Sequence, residues 1–408
     1  MNKKEVLELK RRLKKEECTF TRMCGCYVDG QKNIVLKIGE TFLNLKDEEF
    51  YKYLEIAKKT LSGTIDNNLL TLEFPLSEEN AGGKQQFLMG LRDSKLKNED
   101  LLERFYQLVI ENYHYVGNYL ILLFHDVYDV ITKTTDNAKL DESEEVYEYL
   151  LCAICPVELS KPGLGYHEDE HRIGARIRDW VVSAPVNGFL FPTFTERSCD
   201  IHSIMYYTKN AKEPRPEFME SGLGCTSKRT ALEQKEVFQN ILKKAIGEEE
   251  KSEPVIMKIQ ETLHNKIQEE ETDQEEDHEP ILLTCDTIQD LMEESGIPIE
   301  ITSRIEQSYS KEFGDTPPVA EYLIDHKVLA ASAQKRREYE LNEQVQMLTE
   351  QLKEKDTVNE LSSSYDVVLT VAPRKVDQIK SQVIDGKKCL VIPMEEDEHA
   401  TVNGITSI

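Results

Sequence analysis

The sequence predicts an α+β fold: an N-terminal mixed sheet with packed helices, then a helical segment and a small C-terminal α+β unit. Three observations predict it. The stretch 177–208, IRDWVVSAPVNGFLFPTFTERSCDIHSIMYYT, is the densest run of apolar, β-branched and aromatic residues and holds the only tryptophan, Trp180. Such residues suit a pleated, half-buried surface, so this run supplies strands of a central sheet lying in the interior as scaffold. Around it, segments with apolar residues at helical spacing alternate with strand-like segments, the pattern of a sheet with helices packed on it. Finally, residues 248–279 contain thirteen Asp or Glu against three Lys, a charge run that divides the N-terminal body from the C-terminal part. The resulting division is 1–247 for the sheet body, 248–280 for an acidic helix and linker, 281–356 for a helical segment and 357–408 for the C-terminal unit.

Taken in order, residues 2–17 form a helix with Val6, Leu7, Leu9 and Leu13 on one side and lysines and arginines around the rest. FTRMCGCYVDGQKNIVLKIGETFLNL reads as a hairpin turning at Asp29-Gly30. Asp47 is placed to cap a helix carrying Phe50, Tyr53, Leu54 and Ala57. A second amphipathic helix runs from Asn98 to Tyr113. Tyr119 to Val127 is apolar enough for a buried strand, and a third helix is expected over Glu144 to Cys155, stopped by Pro156.

In the central run, one strand spans about Trp180 to Phe194 and another Ile201 to Thr208, with Glu196 to Asp200 as the turn. Pro185, Gly188 and Pro192 require the first to be broken, bulged or at an edge. Asn187-Gly188 has the form of a hairpin turn that would split it. A helix over Thr230 to Ile246 ends at Gly247. Val255, Ile256, Ile259, Leu263 and Ile267 mark another helix before the linker EEETDQEEDHEP. Two short helices come next, Thr287–Ser295 capped by Asp286 and Ile301–Phe313. Leu341, Val345, Leu348 and Leu352 then form a heptad seam of two repeats, suited to packing on its own domain or on a second copy. The end reads as strand (DVVLTV), short helix, a hairpin turning at Asp385-Gly386, and a further turn at Asn403-Gly404.

Composition excludes several classes. The net charge of −26 and pI near 4.9 argue against a general nucleic-acid binder, whose affinity comes from Lys and Arg displacing counterions. No run approaches the 18 or so apolar residues of a membrane span, and the start lacks the apolar core of a secretory signal. The expected setting is the cytoplasm. There the nine cysteines, an odd number without a framework spacing, stay as thiols.

Four groups of residues are candidates for chemistry. His167-Glu168-Asp169-Glu170-His171 matches the zinc-protease string, which needs a helix to bring its imidazoles to one face. Pro162, Gly163 and Gly165 upstream favour a solvated acidic loop instead. Cys24-x-Cys26 and Cys152-x-x-Cys155 would make a four-thiolate zinc site only if the fold brought them together, and buried packing is the favoured alternative. Gly222-Leu223-Gly224 followed by Lys228 and Arg229 resembles an anion-binding helix start without P-loop spacing. Arg176, Arg178, Asn187 and Lys209 are the candidate binding residues near the central strands. No cofactor or metal is expected.

The blocks FTRMCGCYVDG, SAPVNGFLFPTFTER with YYTKN, and QVIDGKKCLVIP together resemble the domain of unknown function 4317 family of bacterial cytoplasmic proteins, over nearly the whole chain. The resemblance implies one shared architecture and a cytoplasmic setting. It transfers no catalytic residue, cofactor or substrate.

Three functions remain in view. The first is a non-enzymatic interaction or scaffold protein with a protein partner or a homo-oligomeric state, and no membrane. The second is a hydrolase of a phosphate ester or amide, with Arg176, Arg178, Asn187 and Lys209 around its site. The third, a nucleic-acid-associated protein, needs the minority basic residues to gather on one face.

Overall fold

Asn2 starts the first helix, α1 (Lys3–Arg12), by accepting the amides of Lys4 and Glu5, while the Glu5 carboxylate returns to the Asn2 N–H, a reciprocal capping box. The computed structural model describes the chain apart from residues 134–138, 248, 274–279, 315, 363–370, 372, 396–399, 403–404 and 408. Of residues 131–133, 139–145, 249–251, 270–273, 352–362, 373, 400–402 and 405–407 it describes the backbone alone.

After α1 come the hairpin β1 (Phe20–Val28) and β2 (Ile34–Thr41), α2 (Asp47–Thr60), β3 (Leu69–Glu73), α3 (Lys84–Asp93) and α4 (Glu99–Asn112). Long β4 (Asn118–Lys133) and β5 (Lys139–Leu159) succeed them. Next are the small hairpin β6 (Leu164–His167) and β7 (Arg172–Ala175), then β8 (Trp180–Val182), β9 (Asn187–Phe191), β10 (Thr193–Thr195), β11 (Ser198–Asp200) and β12 (Ser203–Thr208). The helical stretch is α5 (Ala231–Ile246), α6 (Glu249–Asp273), α7 (Cys285–Glu294), α8 (Ile299–Phe313), α9 (Ala320–Leu323) and α10 (His326–Ser362). Two hairpins close the chain, β13 (Lys380–Ile384) with β14 (Lys387–Val391) and β15 (Ala400–Val402) with β16 (Ile405–Ser407). Met1–Leu329 and Ala330–Ile408 are two compact units.

The α+β class stands, and the N-terminal sheet is antiparallel at every pairing where a mixed sheet was expected. Its order is β2-β1-β4-β5-β9-β12-β3, with β8 beside the far end of β5. One face packs on α3 and α4 through Cys24, Leu123, Cys152, Phe189 and Tyr206 against Leu88, Leu91 and Phe105. The other packs on α1 and α2 through Phe20, Phe124, Tyr149, Leu190 and Met205 against Leu9, Phe50 and Leu54. A separate helical core gathers Phe238, Ile259, Leu263, Ile288, Leu291 and Tyr309. It draws on α5 and so begins before Gly247.

The helix expected over Glu144 to Cys155 is instead strand β5. Tyr147, Tyr149, Leu151, Ala153 and Cys155 enter one core, and Leu150, Cys152 and Ile154 the other. That is period two with both faces buried, and from Tyr149 to Cys155 it is in sequence an unbroken apolar run that periodicity cannot separate from a buried helix. Asn187-Gly188 is likewise no turn but the start of β9. A Cβ on Gly188 would stand 2.3 Å from the Cys152 carbonyl oxygen of neighbouring β5, so glycine is needed for close strand approach. The turn in this region joins β10 and β11 through Glu196 and Arg197, both left-handed at φ 51 and 61.

The helix starts expected at Asn98 and Thr230 and the stop expected at Gly247 are present, and the Asn98 and Thr230 side chains prove to be N-caps. Asp47 sits in the first turn of α2 with Lys46 at the cap, and α7 is capped by Thr284 where Asp286 was expected. Asp385 and Gly386 turn the β13–β14 hairpin with positive φ. Residues 366–370 of the strand expected over DVVLTV, the core of the acidic linker and the Asn403-Gly404 turn lie outside the described residues.

At one end of the sheet the buried His125 touches Thr21 through Nδ1 (2.6 Å) and Glu148 through Nε2 (2.7 Å). Burial holds its pKa below the ordinary 6.5, against the opposing pull of Glu148 and Asp126 and with a small push from Lys95. The unfolded chain therefore binds this proton more readily. His125 contributes fully above about pH 6.5 and its contribution is lost as pH falls from there towards the folded value. His125→Gln is expected to flatten the acid-side decline of the urea midpoint below about pH 6.5, and an unchanged decline would contradict this.

Candidate interaction surface

The four sequence-picked residues lie in two places. Asn187 is buried at the start of β9, where its Oδ1 accepts the Tyr113 hydroxyl (2.8 Å) and its Nδ2 donates to the Tyr206 hydroxyl (2.9 Å). Tyr206 passes its own proton to the Pro214 carbonyl (2.8 Å). Lys209 comes directly after β12, its backbone N–H bonded to the Val186 carbonyl. Arg176 and Arg178 stand elsewhere, on the arm between β7 and β8. The Arg176 backbone N–H bonds the Gly163 carbonyl, and the Arg178 guanidinium donates to the Ser160 (2.6 Å) and Leu159 (3.4 Å) carbonyls. No described hydrogen bond or ion pair joins these four side chains to one another.

Other motifs resolve into structural parts. His167 ends strand β6 and Glu168 to His171 form the turn of the β6–β7 hairpin, with no helix. His171 meets the Tyr166 hydroxyl (3.0 Å) and His167 the Ala175 carbonyl (2.9 Å), so the helical presentation that a zinc protease needs is missing. Cys24, Cys26 and Cys152 lie in the core on the α3–α4 face, whereas Cys155 points to the α1–α2 face. The four sulfurs cannot share one centre because strand neighbours of opposite parity face opposite ways. Among the described residues no group of three or more His, Cys, Asp or Glu could hold a metal ion.

Burial raises these thiols, Cys26 and Cys155 to about 12 and Cys152 well above its ordinary range, with Cys24 raised as well. Thiolate, not thiol, is the reactive form. Cys24, Cys26, Cys152 and Cys155 are therefore expected to resist alkylation at about pH 8 in the native protein and to react fully in denaturant. Mass mapping of the adducts checks this, and native labelling of any of the four would contradict it.

The start of α5, next to Lys228 and Arg229, is already satisfied. The Ala231 and Leu232 amides bond the Asp66 carbonyl and the Asn67 side chain, Thr230 and Glu233 form a capping box, and Arg229 pairs with Glu312 (2.9 Å). An incoming anion would have to displace partners the chain supplies itself.

What stays unsatisfied is apolar surface. From the end of β5 through β8 the chain exposes Leu159, Leu164, Tyr166, Ile173, Ile177, Trp180, Val181 and Val182. Trp180 is 56%, Val181 48% and Val182 42% exposed, which corrects the expectation that the whole WVVSAPVNGFLFPTF ribbon lies inside. Its second half does, since all of β9 is buried. The first half leaves the sheet centre because Pro185 interrupts the run and β8 pairs only with the last residues of β5. Beside β8 lies a groove of about 580 Å³, lined by Tyr53, Ile56 and Leu120 and by residues 181–185, with Glu48, Glu49, Lys52, Glu55 and Lys59 at its rim.

Sequence reasoning missed the arm's hairpin. Its signal was present in the alternation of Leu164, Tyr166 and Ile173 with polar or small residues on either side of Glu168-Asp169-Glu170, the pattern of a half-exposed ribbon. On α10, Leu341, Val345 and Leu348 of the expected seam are exposed, and the Leu352 side chain lies outside those described. Among the described residues no helix is long and apolar enough to cross a membrane.

Comparison with curated proteins finds no match. The antiparallel sheet body carries the sequence blocks FTRMCGCYVDG and SAPVNGFLFPTFTER with YYTKN, and the C-terminal hairpin carries QVIDGKKCLVIP. A family model described as Domain of unknown function (DUF4317) matches residues 1–405, and the chain belongs to that family.

Proposed function

We propose that the chain is a cytoplasmic, non-enzymatic interaction protein whose sheet body presents the β6–β8 arm to a protein partner. The observation that carries this reading is the run of exposed large apolar side chains from Leu159 to Val182, because soluble proteins seldom leave such a patch open without a partner for it. The net charge of −26 favours a polypeptide over a nucleic acid as that partner. Polar groups of the interior support the same reading, since Asn187, Asp126 and His125 are engaged with neighbours of their own chain. A hydrolase would instead need Arg176, Arg178, Asn187 and Lys209 to converge on one reacting atom.

The test is a photo-crosslinking residue placed at Tyr166 or Ile173 in the full chain within its native cells, with Val116, 99% exposed, as control. Discrete cross-linked protein species are expected from the arm and not from Val116. Arm positions that yield only the monomer would overturn the reading.

A further inference from the structure

The β8 edge is open in a way the other edges of the sheet are not. Opposite β5, the Ser160 N–H bonds the Asp179 carbonyl and the Ser183 N–H bonds the Pro156 carbonyl, each at 2.8 Å, with Val181 facing Glu158 between them. Antiparallel bonding alternates along a strand. Asp179, Val181 and Ser183 therefore turn towards β5, and Trp180 and Val182 direct their backbone N–H and C=O groups away from it. Among the described residues no strand pairs with that side.

Natural sheets blunt such edges with charge, proline or cover. The outer strand β2 carries Lys37 and Glu40, and the Glu73 carbonyl of β3 accepts from Thr226 of a passing segment. Trp180-Val181-Val182 has none of these devices.

Trp180 and Val182 also share a face. Val182 stands opposite Val157, which belongs to the core on the α1–α2 side, so both side chains lie on the side of the groove beside α2. A single edge thus holds an exposed indole and an apolar hollow two residues along.

We propose that β8 pairs with β8 of a second copy of this chain, antiparallel about Val181. This rests on the reading of the arm as an interaction surface and names its partner. Trp180 then faces the partner's Val182, their outward N–H and C=O groups bond reciprocally, and each indole lies against the groove of the other copy. Charge favours this occupant. The register sets Asp179 opposite the partner's Ser183 and Arg178 opposite the partner's Ala184, so no like charges oppose each other. Arg178 also arrives at a groove whose rim has three glutamates against two lysines, where opposite charge sets register and partner choice.

Trp180 is the only tryptophan, so its emission reports this contact alone. The full-length chain is followed from nanomolar to high micromolar concentration by sedimentation equilibrium and by fluorescence. A monomer–dimer equilibrium is expected, with emission moving to the blue as the dimer fills. Val182→Lys charges the edge without touching the ladder to β5 and is expected to raise the dimer Kd at least about tenfold. Trp180→Ala, read by sedimentation, removes the groove contact and should weaken the dimer comparably, whereas Val116→Lys should leave it unchanged. A monomer with constant emission at every concentration overturns the proposal. So does a dimer that neither edge variant weakens. If the chain is monomeric while the arm still cross-links to a different protein in cells, the interaction reading stands and self-pairing falls; if both experiments are negative, both fall.

Discussion

Asp126→Ala is expected to destabilise the folded chain by about 3–5 kcal/mol, because it strips a buried set of donors of their shared acceptor. Asp126 is 1% exposed on β4. One carboxylate oxygen accepts the Thr19 hydroxyl (2.6 Å) and the Val127 N–H (2.9 Å), and the other accepts the Tyr149 hydroxyl (2.6 Å) and lies 3.7 Å from the Arg12 guanidinium. That guanidinium ends α1 and stacks on Tyr128, its carbon 3.6 Å from the ring centre, while the Tyr128 hydroxyl reaches back to Glu8 on α1 (2.7 Å). Without the carboxylate, the buried Tyr149 hydroxyl loses its acceptor and Arg12 loses its counter-charge, keeping the Thr19 hydroxyl (2.7 Å) and the Tyr128 ring. The cost is read from the urea midpoint. Because the set fastens α1 to the sheet, proteolysis near residues 13–19 should quicken in the same variant. A loss below about 1 kcal/mol, the worth of a surface ion pair, would show that α1 is held by apolar contacts alone.

Asn187→Ala is expected to cost about 2–3 kcal/mol, most of it from the Tyr113 hydroxyl left without an acceptor inside the core. The same substitution made in a Tyr113→Phe background should cost clearly less, since the stranded donor has gone. This pair of measurements separates scaffold from catalysis. A structural amide gives a loss of stability that depends on Tyr113. A loss of some activity with stability intact would return Asn187 to the role of a site residue.

Much of the fold was legible where the local signal had one meaning. The helix starts at Asn98 and Thr230 and the Asp385-Gly386 turn rest on local chemistry, and they stand where expected. β5 was not legible, because Tyr149 to Cys155 is buried on both faces and an apolar run without polar interruptions carries no period. Asn187-Gly188 misled for a related reason. The dipeptide favours turns only when nothing needs the missing Cβ more, and here the Cys152 carbonyl of β5 does. The type and neighbours of Trp180 point to the interior. Its exposure depends on which strand lies beside it, and a chain read alone does not say that β9 begins only at Asn187 and leaves β8 at an edge. The candidate surface was therefore half visible, through Arg178 and the tryptophan, while the groove on α2 comes from residues some 130 positions earlier.

That the exposed half of the central ribbon is the working surface and its buried half the scaffold is tested most directly by backbone hydrogen exchange across residues 177–191. In dilute protein, Asn187–Phe191 should be protected and the amides of Trp180 and Val182 should exchange rapidly. In the associated protein the Trp180 and Val182 amides should slow while Asn187–Phe191 stays as it was. If association leaves those two amides fast and protects other segments instead, the working surface lies elsewhere.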